Sequence, residues 1–154
     1  MGKKINLFII LFLANTLIGC SWNEYFCIFN TTNSEIIVEY KITDPDNGIG
    51  IFTAKPYGYL LNKSDKTDWD KAVKIIDKDT ADMIVRITIK SHSMAIIGIL
   101  SNDTYHNSSQ KFINGRVFNM DELKINTPSG TIIINPGNFD AKFLKEQRMI
   151  KFVI

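Results

Sequence analysis

Two histidines, two cysteines and several closely spaced carboxylates are the side chains with which this chain could do chemistry. His92 and His106 lie in different segments, with no second histidine or carboxylate at the spacing of a metal site. Ser91-His92-Ser93 puts hydroxyls beside a base, but neighbours in a strand point to opposite faces, so adjacency is not a catalytic arrangement. Both histidines therefore read as turn or surface residues. Asp77, Asp79 and Asp82 crowd together, yet a calcium loop of the EF-hand kind wants a ligand where Ala81 stands and glycine where Asp82 stands. Asp44-Pro45-Asp46-Asn47-Gly48 has ligand-type residues in a composition that any turn uses. No catalytic residue, metal ligand or cofactor is expected from these patterns. Cys27 sits in Tyr25-Phe26-Cys27-Ile28-Phe29 with no local cation, which predicts a small buried thiol rather than a nucleophile. Lys55-Pro56-Tyr57-Gly58-Tyr59 could present aromatic faces to a sugar or a peptide. The plainer expectation is a loop whose tyrosines cover a sheet edge.

The other cysteine has a different context. Lys3 and Lys4 precede an unbroken apolar run from Leu7 to Ala14, the order of charge and apolarity found in secretory signals. From Ile5 to Gly19 the segment would measure roughly 22 Å as a helix, against a hydrocarbon core of about 30 Å. Asn6, Asn15 and Thr16 interrupt it as well, so it is not expected to span. Leu17-Ile18-Gly19-Cys20 resembles the lipobox of bacterial lipoproteins at all four positions. That resemblance implies cleavage before Cys20, a diacylglyceryl group on its sulfur, and an acyl chain such as palmitate on the new amine. Residues 1–19 would then be the signal peptide and 20–154 one lipid-anchored domain. Two or more chains hold a protein stably where one holds it marginally. Ser21 leans towards the outer membrane of a diderm cell, because Asp at that place favours inner-membrane retention in such families. Asp79-Thr80-Ala81 resembles a short acceptor at which some diderm bacteria O-glycosylate exported proteins, which implies Thr80 as the acceptor.

Removing the leader changes the charge. Lys plus Arg is 18 and Asp plus Glu 16 over the chain; without Lys3 and Lys4 the balance is 18 − 2 = 16 against 16. A neutral domain offers no basic stripe, so nucleic acid is not an expected partner. With Cys20 acylated, Cys27 has no partner for a disulfide.

The elements that position these residues read mostly as strands. Residues 35–43 alternate, with Ile36, Val38, Tyr40 and Ile42 on one side. A turn at 44–48 leads to a return strand at 49–54, and 57–61 adds a short piece. Trp69, Ala72, Val73 and Ile76 fall at i, i+3, i+4 and i+7, which predicts an amphipathic helix over 68–77. Thr67 and Asp70 have capping-box spacing. Met83, Val85, Ile87 and Ile89 alternate inward. Residues 94–100 carry no charge, as in a central strand covered on both faces. Asn114-Gly115 predicts a hairpin within 111–118, and a turn at 127–130 precedes a strand at 131–134. Asn138 could cap a short helix carrying Phe139, Phe143 and Leu144, and 149–154 is strongly β-prone.

The expected fold is mainly β: an antiparallel β-sandwich with one inserted amphipathic helix, or alternatively an α+β open sheet with that helix on one face. The lipobox, the aromatic first strand and Asn30-Thr31-Thr32-Asn33-Ser34 together are similar to small single-domain lipoproteins of diderm bacteria, a likeness that transfers no functional residue. The expected role is a non-enzymatic envelope module that binds a protein or glycan partner, with the membrane held through acyl chains. An envelope hydrolase with scattered residues and an inhibitor or immunity-type lipoprotein are the alternatives. Trp22, between the anchor and the first strand, is the candidate for contact with the membrane interface.

Overall fold

The computed structural model describes residues 21–45, 48–79, 83–106, 110, 112 and 114–154, with the backbone alone at 76–79. Its strands assemble into two large sheets and a short ribbon. The first sheet has six strands: β1 (Asn23–Asn30), β4 (Phe52–Leu61), β5 (Thr67–Val73), β8 (Ser93–Ser101), β12 (Leu144–Glu146) and β13 (Met149–Val153), in the order β12-β13-β1-β8-β4-β5. The second holds β2 (Ile36–Ile42), β6 (Ile76–Asp79), β7 (Ile84–Ile89), β10 (Met120–Thr127) and β11 (Gly130–Ile134), in the order β11-β10-β2-β7-β6. The ribbon pairs β3 (Ile49–Gly50) with β9 (Arg116–Val117) in parallel.

Pairing is antiparallel throughout the two large sheets except between β1 and β13, which run parallel and join the two ends of the domain in one sheet. Alternation predicted β2 correctly: Ile36, Val38, Tyr40 and Ile42 are all buried. β8 lies between β1 and β4, and Met94 to Ile97 are buried on both faces, as a charge-free run requires. The turn at 127–130 joins β10 to β11, with the Thr127 hydroxyl donating to the Gly130 carbonyl.

The helix expected over 68–77 does not form. Residues 67–73 are β5, paired with β4 through Leu61↔Thr67, Tyr59↔Ala72 and Gly58↔Val73, and 76–79 are β6 of the other sheet. A tight turn decides this. Asn62 Oδ1 accepts from the Ser64 and Lys66 amides, and the Asn62 amide donates to the Lys66 carbonyl, which folds β5 back onto β4. Thr67 caps nothing; its hydroxyl donates to Met94 Sδ. Helical spacing of four apolar residues is a weak preference that strand pairing overrides. The α+β alternative loses its helix with it.

Other differences are smaller. The strand expected to return at 49–54 does not pair with β2; β3 belongs to the ribbon and β4 to the other sheet. Asn114-Gly115 does turn, with Gly115 at φ +72°, but β9 beyond it pairs with β3. Met83 lies outside β7 and is exposed. Lys55 to Tyr59 is no loop: it belongs to β4, where a register shift between Phe52 and Tyr57 accommodates Pro56, which has no amide to give a ladder.

One apolar core draws on both large sheets, with Phe26, Ile28 and Ile97 from the first and Val38, Ile87 and Leu123 from the second. α1 (Phe139–Lys142) connects β11 to β12 and sends Phe139 into that core. A helix does follow Asn138, but it ends at Lys142: Phe143 is extended, Leu144 is an exposed residue of β12, and the Asn138 side chain accepts from the Asn135 amide instead of capping. Two buried asparagines tie the sheets together. Asn30, at the end of β1, donates to the carbonyls of Ile89, the last residue of β7, and of Lys90 after it. Asn119 links Thr43, after β2, to Phe52 of β4.

Candidate functional site

The outer face of the six-stranded sheet is also apolar. Cys27, Phe29, Leu61, Met94 and Ile96 form a second buried cluster there, with Tyr25, Tyr59, Ile99 and Met149 packed against it. A sheet face away from the main core is normally polar, so this one needs a cover. Part of the cover is an arch in the edge strand. Because Thr67 pairs with Leu61 and Ala72 with Tyr59, residues 68 to 71 stand opposite Leu60 alone. Such a bulge re-aims a side chain. Here it carries Trp69 over the sheet, with its ring centroid 5.1 Å from Tyr59 and 5.8 Å from Tyr25, and leaves it 50% exposed. Lys71 and Asp68 pair across the arch at 3.1 Å. Tyr57, paired with Ile96 of the second cluster, is 56% exposed.

Two concavities follow from this. One, of about 300 Å³, has Phe29, Trp69 and Met149 among its walls, together with Lys66, Glu146 and Lys151. The other, of about 400 Å³, is bordered by Leu61, Asn62, Lys63 and His92. Asp65 borders both, so the two hollows of this groove adjoin at that residue. Lys151 pairs with Glu146, and its ammonium lies 5.8 Å from the Phe29 ring centroid. The hydrogen bond and charge of Lys151, with a smaller share from Lys66, hold the Glu146 carboxyl below its ordinary range.

His92 stands at the end of this groove, exposed, in a turn. Its Nε2 is 3.0 Å from Asn33 Oδ1 and its Nδ1 3.8 Å from Asp65 Oδ1. Its own backbone, at φ +48°, and that of Asp65, at φ +54°, are left-handed, which places both side chains at the groove rim. Ser93 gives its hydroxyl to the Lys90 carbonyl, so it is not paired with His92 as a nucleophile would be. The two histidines stay apart: His92 precedes β8 and His106 follows it, so the nine residues of that strand lie between them. Among the described residues no three His, Cys, Asp or Glu side chains gather as metal ligands.

Cys27 is fully buried, as its sequence context predicts; loss of hydration pushes its thiol far above the ordinary range, only partly offset by Lys151. Trp22 is held against the domain. Its amide donates to Asn102 Oδ1, its indole Nε1 to the Asp103 carbonyl, and its carbonyl accepts from the Asn102 amide. Nearby, buried Glu24 takes hydrogen bonds from the Tyr105 amide at 2.7 Å and Lys145 Nζ at 2.6 Å, which binds β12 to the segment after β8. Tyr105 in turn donates to Asp140; burial first, then that bond, push its phenol far up.

Cys20, the leader at 1–19, Thr80, Asp46 and Asp82 lie outside the described residues. Among the described residues no helix is long and apolar enough to cross a membrane. No protein-family model, curated protein or solved structure matches the chain. No local pattern in the sequence points to the groove. Its residues come from β1, the turn after β4, β5, β12 and β13, and each reads locally as ordinary surface or core. The aromatic pair Tyr57 and Tyr59 lines neither hollow; Tyr59 meets the groove only through its ring contact with Trp69.

Proposed function

We propose that this protein is a lipid-anchored module of the cell envelope, the outer membrane in particular, that binds an extended partner in the groove on its six-stranded sheet. The two large sheets are taken as the layers of a β-sandwich. One observation carries the binding reading: the arch at 68 to 71 holds Trp69 half-exposed over the second apolar cluster, with Tyr57 exposed on the same face of the sheet. Large apolar patches with half-exposed tryptophan and tyrosine are the composition of binding surfaces. A photo-crosslinking residue placed at 147, exposed on the groove wall, is expected to form an adduct in living cells, whereas one at exposed Ile133, on the other sheet, should not. Equal adducts at both positions would contradict the reading.

The anchor rests on the likeness of Leu17-Ile18-Gly19-Cys20 to a lipobox. Metabolic labelling with a fatty acid should mark the wild type and fail for Cys20→Ala, which should accumulate at the size of the full chain. Surviving label would remove the anchor from the account. The hold of residues 102 and 103 on Trp22 leaves only Ser21 between a fixed point and Cys20, so the lipid would lie within about 7 Å of Trp22 at full extension. Trp22, 38% exposed, would then meet the membrane interface. β1 would lead away from the bilayer, with Asp65 and His92 towards its far end.

A further inference from the structure

We infer that the groove takes a linear glycan, a reading that rests on the binding function proposed above and gives it a ligand class. The groove consists of two open hollows of about 300 and 400 Å³ that adjoin at Asp65, an arrangement that offers a chain of ring units two successive seats. Its floor offers an aromatic platform at Trp69, and the C–H face of a sugar ring packs on such a surface without needing a hydrogen-bond partner there. Its walls alternate acceptors and donors: the carboxylates of Asp65 and Glu146, the amides of Asn62 and Gln147, and the ammonium groups of Lys63 and Lys66. Hydroxyls donate and accept, so a saccharide satisfies both kinds of wall group.

The competing occupants fit less well. A lipid chain or an apolar peptide would strip water from these charged walls and return no hydrogen bonds. A peptide that adds a strand needs a continuous free edge. Two sheet edges border the groove: the arch at 68 to 71 breaks the ladder of β5, and β12 on the other side is only three residues long.

The test uses the purified full chain in detergent carrying Trp22→Phe, which leaves Trp69 as the remaining tryptophan of two. Chitotetraose, cellotetraose and maltotetraose are titrated separately, with a pool of polar octapeptides as the comparison. At least one saccharide is expected to shift Trp69 emission along a saturable curve. By calorimetry Trp69→Ala and Lys66→Ala should each weaken that saccharide at least tenfold, with Ile133→Ala unchanged. Circular dichroism checks that each variant folds; all three positions are on the surface. Saturable binding indifferent to Trp69→Ala and Lys66→Ala would overturn the assignment. A response to the peptides and to no saccharide would overturn the glycan class and leave the groove standing. Silence from both, together with no adduct from position 147, would overturn the groove as well.

Discussion

Replacing Asn119 by alanine is expected to cost about 3–4 kcal/mol of unfolding free energy. The side chain is nearly fully buried and works in both directions. Its Oδ1 accepts from the Phe52 amide at 2.8 Å, and its Nδ2 donates to the carbonyls of Phe52 at 3.2 Å and Thr43 at 3.3 Å. Alanine would leave buried backbone groups of β4 without partners, and each such group costs about 1–3 kcal/mol. The packing is close as well: a methyl group built on Gly50 would overlap the Asn119 amide, which is why β3 has glycine there. Urea unfolding, read as a midpoint shift at constant slope, measures the loss. A change below about 1 kcal/mol would mean that water replaces the amide and that the tie between sheets is not structural.

Phe139→Ala should cost about as much or more, roughly 3–5 kcal/mol. Phe139 is fully buried and lies 4.1 Å from Phe143 in a stacked pair, with Phe118 at 5.1 Å and Phe26 and Tyr105 at 6.0 Å. Its place explains the size of the effect. α1 closes the side of the core where β11 crosses to β12, so truncation opens a cavity that rings held on several elements cannot collapse to fill. Thermal unfolding would show a large fall in the midpoint, whereas Trp69→Ala, on a half-exposed ring, should cost no more than about 1 kcal/mol. Comparable losses at the two positions would contradict the assignment of core and surface.

Where a segment's burial repeats with its own period, the sequence is legible. β2 alternates because one face is covered, and β8 has no polar positions because both faces are. The stretch 68–77 misleads because its four apolar residues fit a helix while the determining interaction is the Asn62 turn before it. β10 has no clear signature because a register shift between Met120 and Glu122 breaks its alternation. The parallel pairing of β1 with β13 links residues over 120 positions apart, and no local pattern reports it. The groove is hidden for the same reason. Helical spacing would send Trp69 to the core, and its partners in the groove, Asp65 and Glu146, carry no signal until the fold brings their strands together.

The proposed binding role puts a ligand on the outer face of the six-stranded sheet, in the envelope. Hydrogen–deuterium exchange of the protein in its own membranes, set against the purified protein, tests this most directly. The arch at 68 to 71 and the turn joining β12 to β13 border the groove and should exchange measurably more slowly in the membranes, while β11 on the other sheet should not change. Exchange at the arch that is the same in both states, or slowing confined to β11, would contradict the account.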